Sequence, residues 1–176
     1  MLKEIRNGNT HKIIFKGDYP TDKECVEDAI KKGIDLRGAS LLNKILCGID
    51  FSGIDLSQVM FRGSDLRDSI FCGAKFGGTN FMFTTLGNTN FNNTNLEKGR
   101  FFGADFNNVI GIIAGYYGKN HKLLMYSKSK KVVIINFKAI PPLDFKVVVQ
   151  RKYGTLNSTD YIFFANRCEW FEEKGK

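Results

Sequence analysis

Every fifth residue from Leu36 to Phe106 is leucine or phenylalanine, fifteen times without interruption. The series runs Leu36, Leu41, Leu46, Phe51, Leu56, Phe61, Leu66, Phe71, Phe76, Phe81, Leu86, Phe91, Leu96, Phe101, Phe106. Two positions before each lies a small or β-branched residue, from Ile34 and Ala39 through Ser64 and Thr79 to Gly99 and Ala104. Only Lys44 breaks that second series. Asp or Asn often stands just before the Leu or Phe, as in Ile-Asp-Leu and Thr-Asn-Phe. A five-residue period fits neither the 3.6-residue turn of an α-helix nor the two-residue alternation of a strand. The chain must instead repeat one short structural step many times, and such periodicity outranks local propensity.

Over residues 34–110 this pattern resembles the pentapeptide-repeat family, written A(D/N)LXX. The resemblance implies that family's fold, an all-β repeat in the form of a right-handed quadrilateral β-helix with four pentads per coil. The Leu/Phe and the small residue two before it both face inward. With twenty residues per coil, like positions stack at the sheet spacing of about 4.8 Å. The inward columns become Leu36/Leu56/Phe76/Leu96, Leu41/Phe61/Phe81/Phe101, Leu46/Leu66/Leu86/Phe106 and Phe51/Phe71/Phe91. Such an interior is filled by side chains and holds no ligand. Lys44, in the first coil, requires a bulge or a side chain that escapes toward solvent. Asp35, Asp50, Asp55, Asp65 and Asp105 occupy the repeat's Asp/Asn position, where a short polar side chain bonds nearby backbone at a turn.

An open β-helix leaves backbone edges that need capping. Residues 1–33 read as an N-terminal β-hairpin and capping helix. Leu2 to Arg6 is a first strand, Asn7-Gly8 a turn signal, and Lys12 to Lys16 a second strand. Thr21-x-x-Glu24 is a capping box and Gly33 a stop, giving a helix over 22–32 that buries Cys25, Val26, Ala29 and Ile30. This layout also resembles small pentapeptide proteins of tailed bacteriophages. Residues 111–176 form a small α+β segment that seals the last coil. Its strands are predicted over 109–117, 122–126 and 131–137, with Ser127 to Lys130 as a turn. Pro141-Pro142 ends the sheet, and helices are predicted near 145–153 and 159–173.

No catalytic motif emerges. His11 and His121 lie in separate predicted loops, and no Walker loop, H-E-x-x-H or G-x-S-x-G is present. Gly111, Gly115 and Gly118 lack a following Lys-Ser/Thr and read as close backbone packing. Cys25, Cys47, Cys72 and Cys168 are scattered singly, which argues against zinc. No enzymatic activity, metal or cofactor is expected. The charged N-terminus lacks an apolar signal core, and no run approaches a membrane span, so a cytoplasmic protein with no membrane partner is expected.

Charge separates the segments. Residues 34–110 carry seven basic and seven acidic side chains, whereas 111–176 carry twelve Lys/Arg against five Asp/Glu. Some pentapeptide-repeat proteins are acidic rods that resemble DNA and occupy the DNA groove of bacterial gyrase. This neutral repeat departs from that pattern. Lys119, Lys122, Lys128, Lys130 and Lys131 cluster around one predicted hairpin, with Tyr116 and Tyr117 nearby in sequence. The cluster supports an alternative reading as a nucleic-acid grip, against the plainer one of a lysine-rich hairpin that blocks edge pairing. On the plainer reading, changing Lys128, Lys130 and Lys131 to Gln leaves fold and function intact. A loss of DNA or RNA retention at unchanged melting temperature would reverse that choice.

The repeat register also exposes an apolar face. On the side centred on Leu41, Phe61, Phe81 and Phe101, the outward residues include Leu42, Met60, Met82, Phe83 and Phe102, with Arg62 and Arg100 beside them. Large apolar groups in a contiguous patch need covering. They are expected to meet a partner, a second copy in a homodimer, or the protein's own termini. The function expected is that of a non-enzymatic interaction protein, phage-encoded, that binds and modulates a bacterial host protein in the host cytoplasm. A topoisomerase or a defence component is the class that the resemblance suggests.

Overall fold

The computed structural model describes residues 1–96, 98–117, 122–127, 132–135 and 138–140. The chain folds as two compact units, Met1–Ile110 and Gly111–Lys176. In the first, eleven parallel bridges each join residues twenty apart, from Ser40↔Met60 to Asn90↔Ile110. One coil therefore takes four pentads. Backbone bonds repeat with the same step: Leu41 N–H donates to Met60, Phe61 to Asn80 and Phe81 to Arg100, at 2.8–2.9 Å. Pairing continues to Ile110, so the code outlasts Phe106 and the next strand starts later than its sequence signal.

The inward columns are closed. Phe51, Phe61, Phe71, Phe81 and Phe91 are completely buried. Phe51, Phe71 and Phe91 stack in parallel at 5.1 and 5.2 Å, and Phe61, Phe81 and Phe101 at 5.3 and 4.8 Å. Rings of adjacent columns meet edge to face, as Phe76 and Phe81 do at 5.0 Å. Phe106, in the last coil, is only half-buried, as are Ile34 and Ile54. The hydroxyls at the small inward positions are all used. Ser64 Oγ donates to Leu41 O at 2.6 Å and accepts from Lys44 N–H at 2.9 Å, tying two coils together. Thr84, Thr89 and Thr94 instead donate to the carbonyl three residues back.

Corners are made by Asx bonds. The side-chain oxygens of Asp35, Asp50, Asp55, Asp65, Asn80, Asn90 and Asp105 accept from the N–H two residues on. Asp65 also receives the Arg67 guanidinium, at 2.7 Å from Nη2, which holds its carboxyl down to about 2. Hydrogen bonds from Arg37 and Ser57 likewise lower Asp35 and Asp55. A carboxyl depressed on folding stabilises above its unfolded value, about 3.9, and that stability disappears as pH falls through its folded value. The melting temperature is therefore expected to fall between about pH 4 and pH 2, as a thermal melt series measures.

At the N-side, β1 (Leu2–Asn7) pairs antiparallel with β2 (Ile13–Asp18), and β1 pairs on its other edge with β3 (Ala39–Ser40) in the first coil. The three-stranded order is β2-β1-β3. The turn differs from the tight Asn7-Gly8 form. Residues 8–12 make a longer loop, in which Asn7 Oδ1 accepts from the N–H groups of Asn9 and Thr10. Helix α1 (Asp22–Lys31) starts at Thr21, whose Oγ1 accepts from Glu24 N–H at 3.2 Å. It stops at Gly33, φ +67, where Gly33 and Ile34 N–H groups close back on Ile30 and Ala29. Cys25, Val26 and Ala29 are buried, while Ile30 is half-buried. Lys44 escapes the interior toward this helix, its Nζ 3.1 Å from Asp22.

The second unit contains an antiparallel sheet in the order β4-β5-β6-β7. Its strands are β4 (Ile112–Tyr117), β5 (Lys122–Ser127), β6 (Val132–Ile135) and β7 (Lys138–Ile140). β6 lies within the strand predicted over 131–137, and β7 runs antiparallel to it with Ile134 opposite Ala139. Met125, on β5, is buried. The predicted helices near 145–153 and 159–173, Pro141-Pro142, Gly118, His121, Cys168 and the tip of the Ser127 to Lys130 turn lie outside the described residues.

Candidate interaction face

One side of the β-helix is laid down by residues 40–43, 60–63, 80–83 and 100–103, held as a ladder by bonds such as Gly63 N–H to Met82 and Phe83 N–H to Phe102, both 3.0 Å. Phe81 points in and is completely buried. Its neighbour Phe83 points out and is 48% exposed, and Phe102 on the next coil is 62% exposed. The two rings meet edge to face at 5.6 Å. The Arg62 guanidinium lies 5.5 Å over the Phe83 ring, and Arg100 Nη2 donates toward Met82 Sδ at 3.5 Å. Leu42 is exposed at the first coil. Met60 and Met82 are half-buried rather than open. For Met60 the cause is the N-terminal hairpin loop: a Cβ on Gly8 would come within 2.7 Å of its Cε and Sδ. The hairpin therefore takes the Met60 end of the face and leaves Phe83 and Phe102 open.

The backbone at Phe83 is unusual for its residue type. Two positions after the inward Leu/Phe the chain repeatedly adopts positive φ, at Gly38, Asn43, Gly48, Gly53, Asn88 and Asn93 and also at Gln58 and Asp68. Gly and Asn dominate this column because a left-handed conformation costs other residues roughly 1–2 kcal/mol. Phe83 holds φ +57 there, with glycines at the equivalent positions below and above, Gly63 and Gly103. Its ring leans over Gly103, where an added Cβ would meet Cδ1 at 2.5 Å. The repeat imposes this conformation, so the aromatic side chain at 83 carries a cost that glycine or asparagine there would not. The register marked Phe83 as outward, but not as strained. The signal was present in the sequence, as a Gly/Asn-rich column in which Phe83 is the one aromatic, beside the polar Gln58, Asp68 and Lys98.

A family model described as Pentapeptide repeats (8 copies) matches residues 32–68 and 49–86. The chain is a pentapeptide-repeat protein. Two solved structures are similar in part. HetL, a pentapeptide repeat protein involved in heterocyst differentiation regulation from the cyanobacterium Nostoc sp. strain PCC 7120, is 17% identical, over 43% of this chain and 46% of its own, with a TM-score of 0.25. Rfr23, a pentapeptide repeat protein from the cyanobacterium Cyanothece 51142, is 21% identical, over 42% of this chain and 65% of its own, with a TM-score of 0.18. The chain thus spans less than two thirds of either protein's length. A search of curated proteins found no match.

Lys122 opens β5 opposite Tyr117, while Lys119, Lys128, Lys130 and Lys131 lie outside the described residues. Cys25, Cys47 and Cys72 are free thiols, and burial pushes the first two up. Among the described residues, no group of acidic, His or Cys side chains could hold a metal ion, and no helix is long and apolar enough to cross a membrane.

The contribution of Phe83 to stability can be measured by itself. Phe83→Gly relieves roughly 1–2 kcal/mol of left-handed strain. It loses about 0.5–1.5 kcal/mol of ring pairing and about 0.5–1 kcal/mol through glycine's unfolded-state entropy. The terms offset, so a denaturant titration is expected to shift by less than about 1 kcal/mol. A loss of 2 kcal/mol or more would make the ring a structural element.

Proposed function

We propose that this pentapeptide-repeat protein is a non-enzymatic interaction protein whose docking surface is the face formed by Leu42, Met60, Arg62, Met82, Phe83, Arg100 and Phe102. The observation that carries the reading is Phe83. It is a half-exposed aromatic held at positive φ where the fold prefers glycine or asparagine, paired with a second exposed ring on the next coil. Burying each such side chain against a partner is worth roughly 1.5–3 kcal/mol, enough for a compact anchor. The partner is a bacterial host protein, of the topoisomerase or defence class, and the chain is phage-encoded and acts in the host cytoplasm. The resemblance of the N-terminal hairpin, helix and glycine to small phage pentapeptide proteins supports this part. The neutral charge of the repeat speaks against DNA mimicry as the mode of binding. The test is capture from bacterial lysate by the wild-type protein and by the Phe83→Asp, Phe102→Asp variant. A band retained equally by both removes the face from the function.

A further inference from the structure

We propose that the occupant of this face is an acidic segment of a partner protein, in which carboxylates bracket an apolar side chain. The proposal rests on the docking reading above and specifies its chemistry.

Arginines elsewhere on the repeat are matched within their own pentads. Arg37 pairs with Asp35 at 2.6 Å and Arg67 with Asp65 at 2.7 Å, in each case with the Asp two residues earlier. Arg62 occupies the same repeat position as Arg37 and Arg67, but the residue two earlier is Met60. Its carboxylate partner has been replaced by a thioether, and the guanidinium lies instead over Phe83. Among the described residues Arg100 likewise meets no carboxylate, and its guanidinium reaches the sulfur of Met82. Residues 40–43, 60–63, 80–83 and 100–103 include no Asp or Glu at all.

The arrangement of the two cations gives the proposal its shape. Arg62 approaches from the coil below and Arg100 from the coil above, so both converge on the Met82-Phe83 step. A ligand seated there meets an apolar floor with a forked donor on either side. Guanidinium groups held in this way favour carboxylates, which accept two parallel N–H bonds. A second copy does not satisfy them. An isologous contact would set this face against itself, bringing two arginines to two arginines with no carboxylate between. Single-stranded nucleic acid fits less well, because Phe83 and Phe102 stand at 87° and present no parallel platform for successive bases.

The test uses the full-length protein and three fluorescent probes. The first is a short synthetic peptide with Asp and Glu on both sides of a Leu-Phe core. The second is the same peptide with Lys for each acid, and the third is a short oligothymidylate. The acidic peptide is expected to bind, with affinity that falls as salt rises. The Arg62→Glu, Arg100→Glu variant should weaken it at least about tenfold, shift preference to the lysine peptide and leave the melting temperature unchanged. Failure of the acidic peptide to outcompete the lysine peptide overturns the proposal. So does tighter binding of the oligothymidylate, or self-association of the wild type that charge reversal abolishes. If the Phe83→Asp, Phe102→Asp variant loses a lysate partner that the arginine variant keeps, the docking face stands and its acidic occupant falls.

Discussion

Phe81→Ala is expected to destabilise the β-helix by about 3–5 kcal/mol, the cost of truncating a buried aromatic and leaving the cavity behind. Phe81 is completely buried. It stacks on Phe61 at 5.3 Å and Phe101 at 4.8 Å, and it meets Phe76 and Phe71 edge to face at 5.0 and 5.7 Å. Collapse cannot fill the gap, because the coil height is set by backbone bonds at the sheet spacing and the walls cannot close on a missing ring. Asn92 makes the contrast. It is half-buried and lies outward at a corner, where its N–H donates to Asn90 Oδ1, so Asn92→Ala is expected to cost less than about 0.5 kcal/mol. Urea titration of the two variants measures both. Equal losses would mean that the inward and outward positions are assigned wrongly.

The second large effect is on binding. Phe83→Asp with Phe102→Asp is expected to abolish capture of the partner while leaving the melting temperature nearly unchanged. Both rings are already hydrated, at 48% and 62% exposure, so two carboxylates at their positions stay in water. Aspartate also tolerates the positive φ of position 83 better than phenylalanine, as Asp68 does at φ +62. On the bound side, two anchors are lost and two carboxylates are placed beside the arginines. There they take up those guanidiniums and repel an acidic occupant. A melting temperature that drops by many degrees would instead show that the chain itself covers the rings. The paired measurement therefore separates a docking role from a structural one.

The N-terminal hairpin shows how an outward position becomes partly covered. Met60 and Met82 occupy outward positions on the same side of the square, and the repeat register treats them alike. Their surroundings differ because Gly8 N–H bonds to Gly38 O at 2.8 Å, which carries the hairpin loop across Met60. Nothing in the residues around Met60 announces that contact, since it joins segments about fifty residues apart. Lys44 is similar. Its misfit with an inward position is plain in the sequence, but its acceptor, Asp22 on α1, is known only from the fold.

The sequence by itself determined the period, the inward columns, the Asx corners, the capping of α1 at Thr21 and its stop at Gly33. Each of these is local: a pentad, a turn or a cap involves residues within five positions, so pattern and stereochemistry suffice. The face was half legible. Outward placement of Phe83, Phe102, Arg62 and Arg100 follows from register alone. Tertiary structure decided what register cannot: which way those side chains lean, which of them the hairpin covers, and that Arg62 and Arg100 close on Met82 and Phe83 from opposite coils. The physical reason is that side-chain direction on a coil is set by neighbours twenty residues away, above and below. There, Gly103 on the coil above leaves the space that Phe83 fills.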